Sequence, residues 1–483
     1  MYKSKTGIER NPAFFGLSLF QILVMFRRGV FYTFLAIYLR IYLGLSVTAT
    51  SLYATLPSIL SAIFQMTIWG GLSDYHQDRR TFMIIGEIIP GIFLLVVFWL
   101  HNQTTSLLTA GYILIAGFSF IEIFWSMSNL SFTTILTDIY NPSQRNVMMN
   151  YLIAIGGISR MIGIYCSGLW YRDGQAFRGG LFFYIASGVI FLSILPLFLL
   201  PKRVQLSEID NSNGNPLINI QEVQETRSIS KQKSKEKIVK NHIHDIRQQD
   251  TRIKFPRIEK ISEIPPKLLT PRIPIDRIFI FLLFGLAIIN LGRGSVGVIY
   301  PTFLVLQSPG LGFTAPMIAL NTNIQSFATI IFGILMGVLS WKMSFTQILF
   351  WGLTFGVIGS IGTILIPYPL GIYLCGGLLA IAEVMIGSGS YVYASILISP
   401  RKRAKFFGIY NATFSIAGGV GASVLISPII DQLILPISTP AQILHAFQIG
   451  LWIAVGLIFL GIIILGGLEL RIAVPKSSHM GFK

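Results

Sequence analysis

Long apolar segments dominate this chain and restrict what it can fold into. Stretches of about 18 or more mostly apolar residues recur along the sequence, and each can cross the roughly 30 Å hydrocarbon layer of a bilayer as a helix. Only 12% of the 483 residues are charged, whereas soluble proteins carry about a quarter. Strands of a membrane barrel would show segments of about ten residues with alternating polarity, and the sequence has none. The pattern predicts an all-α membrane protein.

Proline, glycine and charged residues divide the apolar sequence into twelve predicted transmembrane helices. The predicted spans are residues 14–39, 47–71, 81–100, 107–138, 148–170, 179–200, 278–306, 313–341, 345–367, 370–398, 406–430 and 444–469.

A polar stretch separates the sixth predicted helix from the seventh. Residues 201–277 are rich in charged side chains, Ser, Asn and Gln, and contain few aromatics. Such a composition cannot bury a core, so we expect a largely disordered basic linker. The predicted domains are therefore an N-terminal six-helix bundle at 1–200, the linker at 201–277 and a C-terminal six-helix bundle at 278–483.

Two landmarks repeat between the halves of the sequence. An Arg-Gly pair in the middle of the first predicted helix recurs in the seventh, and a glutamate in the fourth recurs in the tenth. The residues concerned are Arg28, Gly29, Arg293, Gly294, Glu122 and Glu383. Repeats of like topology in transporters are related by an axis along the membrane normal, with the substrate site between them. The repeat predicts two pseudo-symmetric six-helix bundles.

The distribution of positive charge predicts the orientation of the chain. The formal net charge is +17, and the Lys and Arg residues outside the predicted helices fall on one side, except Arg40, Arg172 and Arg178. The positive-inside rule places that side in the cytoplasm, together with both termini and the linker. We therefore expect a multi-pass protein of the plasma membrane with a lipid bilayer as its surroundings and no nucleic-acid partner.

Three segments resemble a known family. Residues 70–80 (GGLSDYHQDRR) lie between the second and third predicted helices and resemble the signature loop of the major facilitator superfamily. Residues 138–145 (DIYNPSQR) resemble the end of that family's fourth helix, and residues 28–39 resemble its first helix. The resemblance implies a twelve-helix fold in which the first, fourth, seventh and tenth helices line a central cavity. It also implies secondary transport by alternating access.

The same resemblance implies a gate at the cytoplasmic side. Gly70 and Gly71 are expected to permit close helix approach. Asp74 is expected to cap a helix of the other half, where a negative charge is stabilised by the helix N-terminus. The predicted gating residues are Gly70, Gly71, Asp74, Arg79, Arg80, Asp138 and Arg145, with Arg79 or Arg80 able to pair with Asp138.

Polar residues in the middle of the predicted helices are candidates for the substrate or proton site, because charge is kept in lipid only at high cost. Ser119, Glu122, Ser126, Asn129 and Thr133 recur every three or four residues and share one face of the fourth helix. That face lines either a cavity or a buried hydrogen-bonded seam between helices. The predicted substrate- or proton-binding residues are Arg28, Tyr32, Glu122, Ser126, Asn129, Arg160, Asn290, Arg293, Tyr300 and Glu383.

The central arginines and glutamates allow more than one role. Arg28 could pair with Glu122 and Arg293 with Glu383, because an unpaired buried charge is costly. Alternatively, both arginines bind an anionic substrate, for which the guanidinium fork is well suited. A third possibility is that the pairs only hold the bundle together.

Three further charged residues are open to interpretation. Arg160 either enters the cavity or bonds to helix carbonyls. Arg27 points about 100° away from Arg28 on a helix, so at most one of the two is expected to face the cavity centre. Glu87 is expected to bind Arg79 or Arg80.

The sequence contains no Gly-rich phosphate loop, metal-ligand cluster or nucleophile triad, so we expect no enzyme, cofactor or metal. It predicts a monomeric secondary active transporter that moves a small organic solute by alternating access. Protons acting through Glu122 or Glu383 are the expected energy source. The midspan arginines favour an organic anion or amphipathic compound as substrate. The alternative is a non-transporting sensor or scaffold built on a transporter fold.

Overall fold

The computed structural model of the protein describes residues 12–76, 78–139, 142–201, 275–306, 310–366, 368–397 and 403–471. All the described residues belong to one compact unit. The predicted disorder of the linker falls outside the described residues. The division into three domains stays a prediction.

Twelve helices of the described chain are long and apolar enough to cross a membrane. In chain order they are α1 Pro12–Tyr42, α2 Val47–Ser73, α3 Arg79–Gln103, α4 Leu107–Leu136, α5 Tyr151–Trp170, α6 Leu181–Leu199, α7 Ile278–Leu304, α8 Ala315–Met336, α9 Thr346–Leu365, α10 Pro369–Ala394, α11 Ile409–Leu433 and α12 Pro440–Gly467. Each of the twelve predicted spans corresponds to one of them, which confirms the predicted all-α membrane fold.

Several of these spans are parts of longer or interrupted helices. A π turn at Gln65–Trp69 interrupts α2, and another at Gly421–Ile426 interrupts α11. Such turns widen the helix locally. Prolines also lie inside α2, α3 and α7, where each removes a backbone hydrogen bond. The helices that extend past their spans are Leu107–Ile139, Pro142–Trp170, Ile275–Leu304, Ala315–Lys342, Phe345–Leu365, Pro369–Leu397, Arg403–Val420 and Pro440–Arg471.

The helices of the two halves pack in the same pattern. In the first half α1 contacts α5 and α6, α3 contacts α4 and α6, and α2 contacts α4. The equivalent helices of the second half, whose numbers are higher by six, make the same contacts. There α7 contacts α11 and α12, α9 contacts α10 and α12, and α8 contacts α10. The halves touch each other through α5 with α8 and α2 with α11, two contacts that the same operation exchanges. The bundles are therefore pseudo-symmetric.

The repeated Arg-Gly pair explains one of these shared contacts. A Cβ atom placed on Gly29 would overlap the Arg160 carbonyl oxygen of α5, and a Cβ on Gly294 would overlap the Gly418 Cα of α11. The helices of both halves thus approach at backbone distance where the glycine lies, as small residues allow in membranes. The same pair turns its arginine to a different face of the helix.

Buried apolar residues form one core that both halves share and three that they do not, of which the smallest, around Met336, Ile348 and Met385, belongs to the second half. The shared core contains Phe31 and Phe177 from the first half and Tyr300 and Phe447 from the second. It lies towards the end of the bundle where α1 finishes and α2 begins. At the other end each half has its own core, around Leu17 and Leu152 in the first half and around Leu286 and Leu353 in the second. The two halves are therefore joined at one end and separate at the other.

A buried ion pair holds the first half together. The Arg27 Nη1 atom lies 2.9 Å from Glu87 Oε2, and their side chains are only 3% and 2% exposed. Ser128 donates a hydrogen bond of 2.8 Å to Glu87 Oε1, and the Arg27 guanidinium lies 4.1 Å from the centre of the Trp125 ring. The pair links α1, α3 and α4. Both Glu87 oxygens accept a hydrogen bond, as a buried carboxylate must if it is not to be destabilising, whereas the Arg27 Nε atom has no partner among the described residues.

The expectation that Glu87 binds Arg79 or Arg80 was wrong. Glu87 faces the inside of the bundle, because the neighbouring Gly86 lets α3 lie directly against α4. Arg79 instead donates to the Ser73 hydroxyl, and Arg80 donates to the Leu200 carbonyl oxygen at 3.3 Å.

Alanine at Gly29 or Gly294 tests the backbone contacts between helices. We expect each substitution to destabilise the protein by about 1–3 kcal/mol, the usual cost of overpacking. The measurement is the apparent melting temperature of the purified protein in detergent. Gly297→Ala is the control, because its Cβ would have nothing within 4 Å. Equal melting temperatures for Gly294→Ala and Gly297→Ala would contradict the close packing of α7 and α11.

Candidate functional site: a central cavity between the halves

A cavity of about 1290 Å³ lies between the two halves. Its walls are formed mainly by α1, α5, α7, α8 and α10, with two residues from α9 and single residues from α2, α11 and α12. Leu304 and Ile318 lie at its inner end, beside the shared core. Ile153 and Ile334 line it towards the other end and are 56% and 69% exposed. The cavity therefore opens at the end where α1 begins, between the two separate cores.

Polar bonds between the halves reinforce the closed end. The Asp431 carboxylate of α11 accepts hydrogen bonds from the backbone N–H groups of Val47 and Thr48, at 2.7 and 2.8 Å, in the first turn of α2. A carboxylate at a helix N-terminus is stabilised by the unpaired N–H groups and by the helix dipole. About two turns further along α2, the Thr55 hydroxyl donates to the Gly419 carbonyl oxygen at 2.7 Å. These contacts join residues more than 360 positions apart, and the sequence analysis missed them.

Six of the ten predicted substrate- or proton-binding residues line the cavity. They come from both halves, with three side chains on α1 and α5 and three on α7 and α10. They are Arg28, Tyr32, Arg160, Arg293, Tyr300 and Glu383.

The cavity holds two neighbouring guanidinium groups from the first half. Arg28 of α1 and Arg160 of α5 repel each other electrostatically, while Glu383 attracts Arg160 from the second half. Glu122 lies behind Arg28 and attracts it. Within the described part of the chain, neither guanidinium has a hydrogen bond or a direct ion pair. The two positively charged guanidinium groups thus face the same cavity, and neither forms a direct ion pair with a carboxylate of the described residues.

Arg293 and Asn290 extend this polar region along α7. The Arg293 guanidinium lies 5.5 Å from the centre of the Phe414 ring, and its Nη1 atom is buried without a hydrogen-bond partner among the described residues. Asn290 is 1% exposed and does not line the cavity, and neither atom of its side-chain amide has a partner there. The structure forms no direct ion pair between Arg293 and Glu383, nor between Arg28 and Glu122, in the part of the chain that it describes.

The prediction that the polar face of α4 lines the cavity was wrong. None of the described residues that line the cavity belongs to α4. The face is covered by α2 instead, whose Trp69 and Gln65 side chains donate to carbonyl oxygens of α4 at 2.9 and 3.4 Å. The Ser126 hydroxyl bonds back to its own helix, and Asn129 is half-buried off the cavity. The Ser119 and Thr133 hydroxyls also bond within α4, so the alternative, a hydrogen-bonded seam between helices, stays a prediction.

A polar face that the sequence analysis did not single out lies on α8. The side chains that line the cavity are one, three or four residues apart in the sequence, and residues at these spacings lie on one face of a helix. They are Asn321, Thr322, Gln325, Ser326 and Thr329. The signal was present in the sequence, since these residues interrupt an apolar span, but none of them carries a charge.

The predicted gating residues are only partly described. The side chains of Asp74, Asp138 and Arg145 lie outside the described part of the structure. The expectation of close helix approach at Gly70 and Gly71 was wrong here, because a Cβ on Gly71 would meet nothing within 4 Å and one on Gly70 would meet only the Gln65 carbonyl oxygen, at 3.2 Å. The described halves are apart at this end of the bundle.

No group of three or more His, Cys, Asp or Glu side chains able to hold a metal ion occurs among the described residues.

Comparison with solved structures shows what this fold is similar to. A bacterial homologue of the human lysosomal transporter Spinster, in an inward-facing and occupied conformation, aligns with a TM-score of 0.63 and 15% identity over 96% of this chain and 98% of that one. The nucleoside transporter NupG aligns with a TM-score of 0.61 and 14% identity over 94% and 99%. The peptide transporter POT in complex with sulfate aligns with a TM-score of 0.59 and 15% identity over 96% of each chain. At these identities the similarity shows the fold alone.

Comparison with curated proteins found no match to this chain. The family model of the Major Facilitator Superfamily matches residues 17–264, which is more than half of the sequence. The match begins in α1 and includes the loop at residues 70–80 and the segment at residues 138–145, which carried the resemblance. The chain is a multi-pass membrane protein of the transporter class and belongs to the Major Facilitator Superfamily.

Proposed function

We propose that this protein is a secondary active transporter that moves a small organic anion across the membrane by alternating access. The observation that carries the proposal is the pair of guanidinium groups, Arg28 and Arg160, that face one cavity without a hydrogen-bonded partner among the described residues. Arg28 is half-buried and Arg160 is exposed to the cavity, and their repulsion is costly because protein screens charge less than bulk water does. A carboxylate or phosphate placed between them would remove the repulsion and bind both forks.

The surrounding charges support an anion at this position. Glu122 does not line the cavity and attracts Arg28, and Glu383 attracts Arg160 from the second half. With an anion between the two arginines, the order of charges becomes negative, positive, negative, positive, negative. Each charge then has neighbours of opposite sign. Without the anion, the two positive charges are adjacent, so this arrangement favours an anionic substrate over a cationic one.

Alternating access is supported by the one-sided closure of the cavity. The shared core and the Asp431 cap close one end, while separate cores leave the other end open. The helix pairs that join the halves, α5 with α8 and α2 with α11, are exchanged by the pseudo-symmetry. A rocking motion of the halves can therefore open one end as it closes the other. We propose residues 1–200 and 278–483 as the moving bodies, joined by residues 201–277.

Proton coupling through Glu122 or Glu383 is the proposed energy source. Glu383 lines the cavity and is exposed to it, so water can deliver a proton to its carboxylate. Glu122 is half-buried beside Arg28 and Arg27. Protonation of either carboxylate removes a negative charge next to an arginine that would hold the substrate. Proton binding and anion binding would then affect each other's free energy, which is what coupling requires.

The basic charges define the proposed orientation. The open end of the cavity lies at the side where α1 begins, which the positive-inside rule assigns to the cytoplasm. We therefore propose a monomer in the plasma membrane with both termini and the linker in the cytoplasm and the cavity open inward.

Neutralising the cavity arginines tests the anion site. We expect Arg28→Gln and Arg160→Gln each to weaken anion binding at least tenfold, or about 1.4 kcal/mol, because each removes a charge-assisted hydrogen bond. The measurement is uptake of labelled succinate, gluconate and glycerol 3-phosphate by proteoliposomes, with tetraphenylphosphonium as the cationic comparison. Arg172→Gln is the control, since Arg172 is exposed outside the membrane spans. Uptake of the cation in preference to every anion would overturn the proposal.

Removing the carboxylates one at a time tests proton coupling. In Glu122→Gln or Glu383→Gln, the residue that carries the proton can no longer titrate. We expect one of the two variants to lose the stimulation of anion uptake by an imposed proton gradient and to keep exchange of internal for external anion. The measurement is uptake with and without the gradient over a range of pH. If both variants keep the full pH dependence of the wild type, neither residue is the proton carrier.

Weakening the cap at the closed end tests alternating access. Asp431→Asn keeps the size of the side chain and removes its charge, so the closed end should open more often. We therefore expect the open mouth of the cavity to be narrower in a larger fraction of the molecules. The measurement is the distance between two spin labels, attached at Ile153→Cys and Ile334→Cys. The labelled protein carries Cys166→Ala and Cys375→Ala, so that only the two new cysteines react.

The control for this measurement is Asp78→Asn. Asp78 caps α3 within the first half, where it accepts hydrogen bonds from Thr81. Its loss should change local stability and leave the distance distribution at the mouth unaltered. Identical distributions for the Asp431 variant and the wild type would mean that the cap does not hold the closed end.

A further inference from the structure

The two walls of the cavity differ in chemistry. The first half contributes the guanidinium groups of Arg28 and Arg160. The α8 face of the second half contributes uncharged amide and hydroxyl groups. The α8 hydroxyls, such as those of Thr322 and Ser326, donate to carbonyl oxygens of their own helix and keep lone pairs free to accept. A ligand that fills the cavity therefore meets two guanidinium groups on α1 and α5 and a face of neutral hydrogen-bonding groups on α8, while Arg293 and Glu383 line the cavity from α7 and α10.

Asn321 is the most constrained member of the α8 face. Its Nδ2 atom donates a hydrogen bond of 3.2 Å to the Tyr300 hydroxyl of α7, and the residue is 1% exposed. Its Oδ1 atom is buried and has no hydrogen-bond partner among the described residues. An unsatisfied buried acceptor is destabilising, and a hydrogen-bond donor from a ligand would remove that cost. One turn further along, the half-buried Gln325 lines the same cavity.

A glycine on α10 provides the space for these two amides. A Cβ atom on Gly376 would lie 2.6 Å from Asn321 Oδ1 and 3.1 Å from Gln325 Nε2. Both atoms are at the ends of flexible side chains, so a methyl group at this position would displace the amides rather than the helix. The neighbouring Gly377 lacks this role, since its Cβ would have only an ordinary contact of 3.8 Å with Ile324.

We propose that Asn321 and Gln325, placed by Gly376, form a subsite for the uncharged polar part of the substrate. The substrate class is then an organic carboxylate or phosphate that also carries hydroxyl or amide groups. This inference rests on the proposed anion site, because Arg28 and Arg160 bind the charged end. An anion with an alkyl tail would leave the amides without partners and be rejected for that reason.

The test compares pairs of anions that match in charge and length and differ in hydroxyl groups. The probes are gluconate with hexanoate, and glycerol 3-phosphate with propyl phosphate. The measurement is the concentration of each that raises the melting temperature of the purified full-length protein. We expect the wild type to bind the hydroxylated anion about tenfold more tightly, which corresponds to one or two neutral hydrogen bonds.

Three variants locate the source of that preference. In Gly376→Ala and Gln325→Ala, binding of the hydroxylated anion should weaken until it equals that of the alkyl anion, which should itself bind as it does to the wild type. Gly377→Ala should keep the full preference. A tenfold preference that survives in Gly376→Ala and Gln325→Ala would overturn the subsite.

The results also separate this inference from the anion site. Equal binding of hydroxylated and alkyl anions by the wild type would overturn the subsite and leave the anion site standing. Loss of both anions in Arg28→Gln, with the preference intact in the wild type, would support both. No stabilisation of the wild type by any of the four anions would overturn both proposals.

Discussion

An ionised side chain within a membrane must be solvated by protein groups or by water, and the two adjacent arginines of α1 meet this constraint in different ways. Arg27 is enclosed by the Glu87 carboxylate and the Trp125 ring, which makes it part of the framework. Arg28 points to another side of the helix and faces the cavity. The first arrangement joins three helices, and the second leaves a positive charge available to a ligand. The central cavity thus contains charged side chains that the protein does not pair internally among its described residues.

The Arg-Gly pair combines packing and polarity within two positions. Gly29 brings α1 against α5 at the backbone of Arg160, so the contact that holds the helices together also brings the Arg160 side chain into the same cavity as Arg28. In the second half, Gly294 brings α7 against α11 in the same way, yet no second cationic partner faces Arg293 there; its guanidinium lies over the Phe414 ring. The packing is symmetric while the chemistry is not. Duplication supplies the scaffold, and later divergence of side chains is free to give the halves different roles.

The sequence predicted the twelve helices and the charged cavity residues for a single physical reason: lipid penalises exposed backbone and charge so strongly that both leave a clear pattern. Helical periodicity also identified the polar face of α4, but periodicity shows which residues share a face and not which helix covers it, so the role was assigned wrongly. The Asp431 cap was missed because its partners, Val47 and Thr48, use backbone groups that have no sequence signal. Neutral residues such as Asn321 were passed over because they carry no charge to draw attention to them.

The difference between the two walls bears on how substrate binding could drive movement. A ligand shifts a conformational equilibrium only if it binds one state better than another. An anion held by Arg28 and Arg160 alone would contact one half and would sense the other half only indirectly, through the charge of Glu383 on Arg160. A solute that also reaches the α8 face contacts both halves at once, and its binding energy then depends on their separation. Since α8 and α5 form one of the main contacts between the halves, that dependence acts directly at the interface that must move. In the proposed mechanism, the groups that select the substrate are therefore the same groups that couple its binding to the motion.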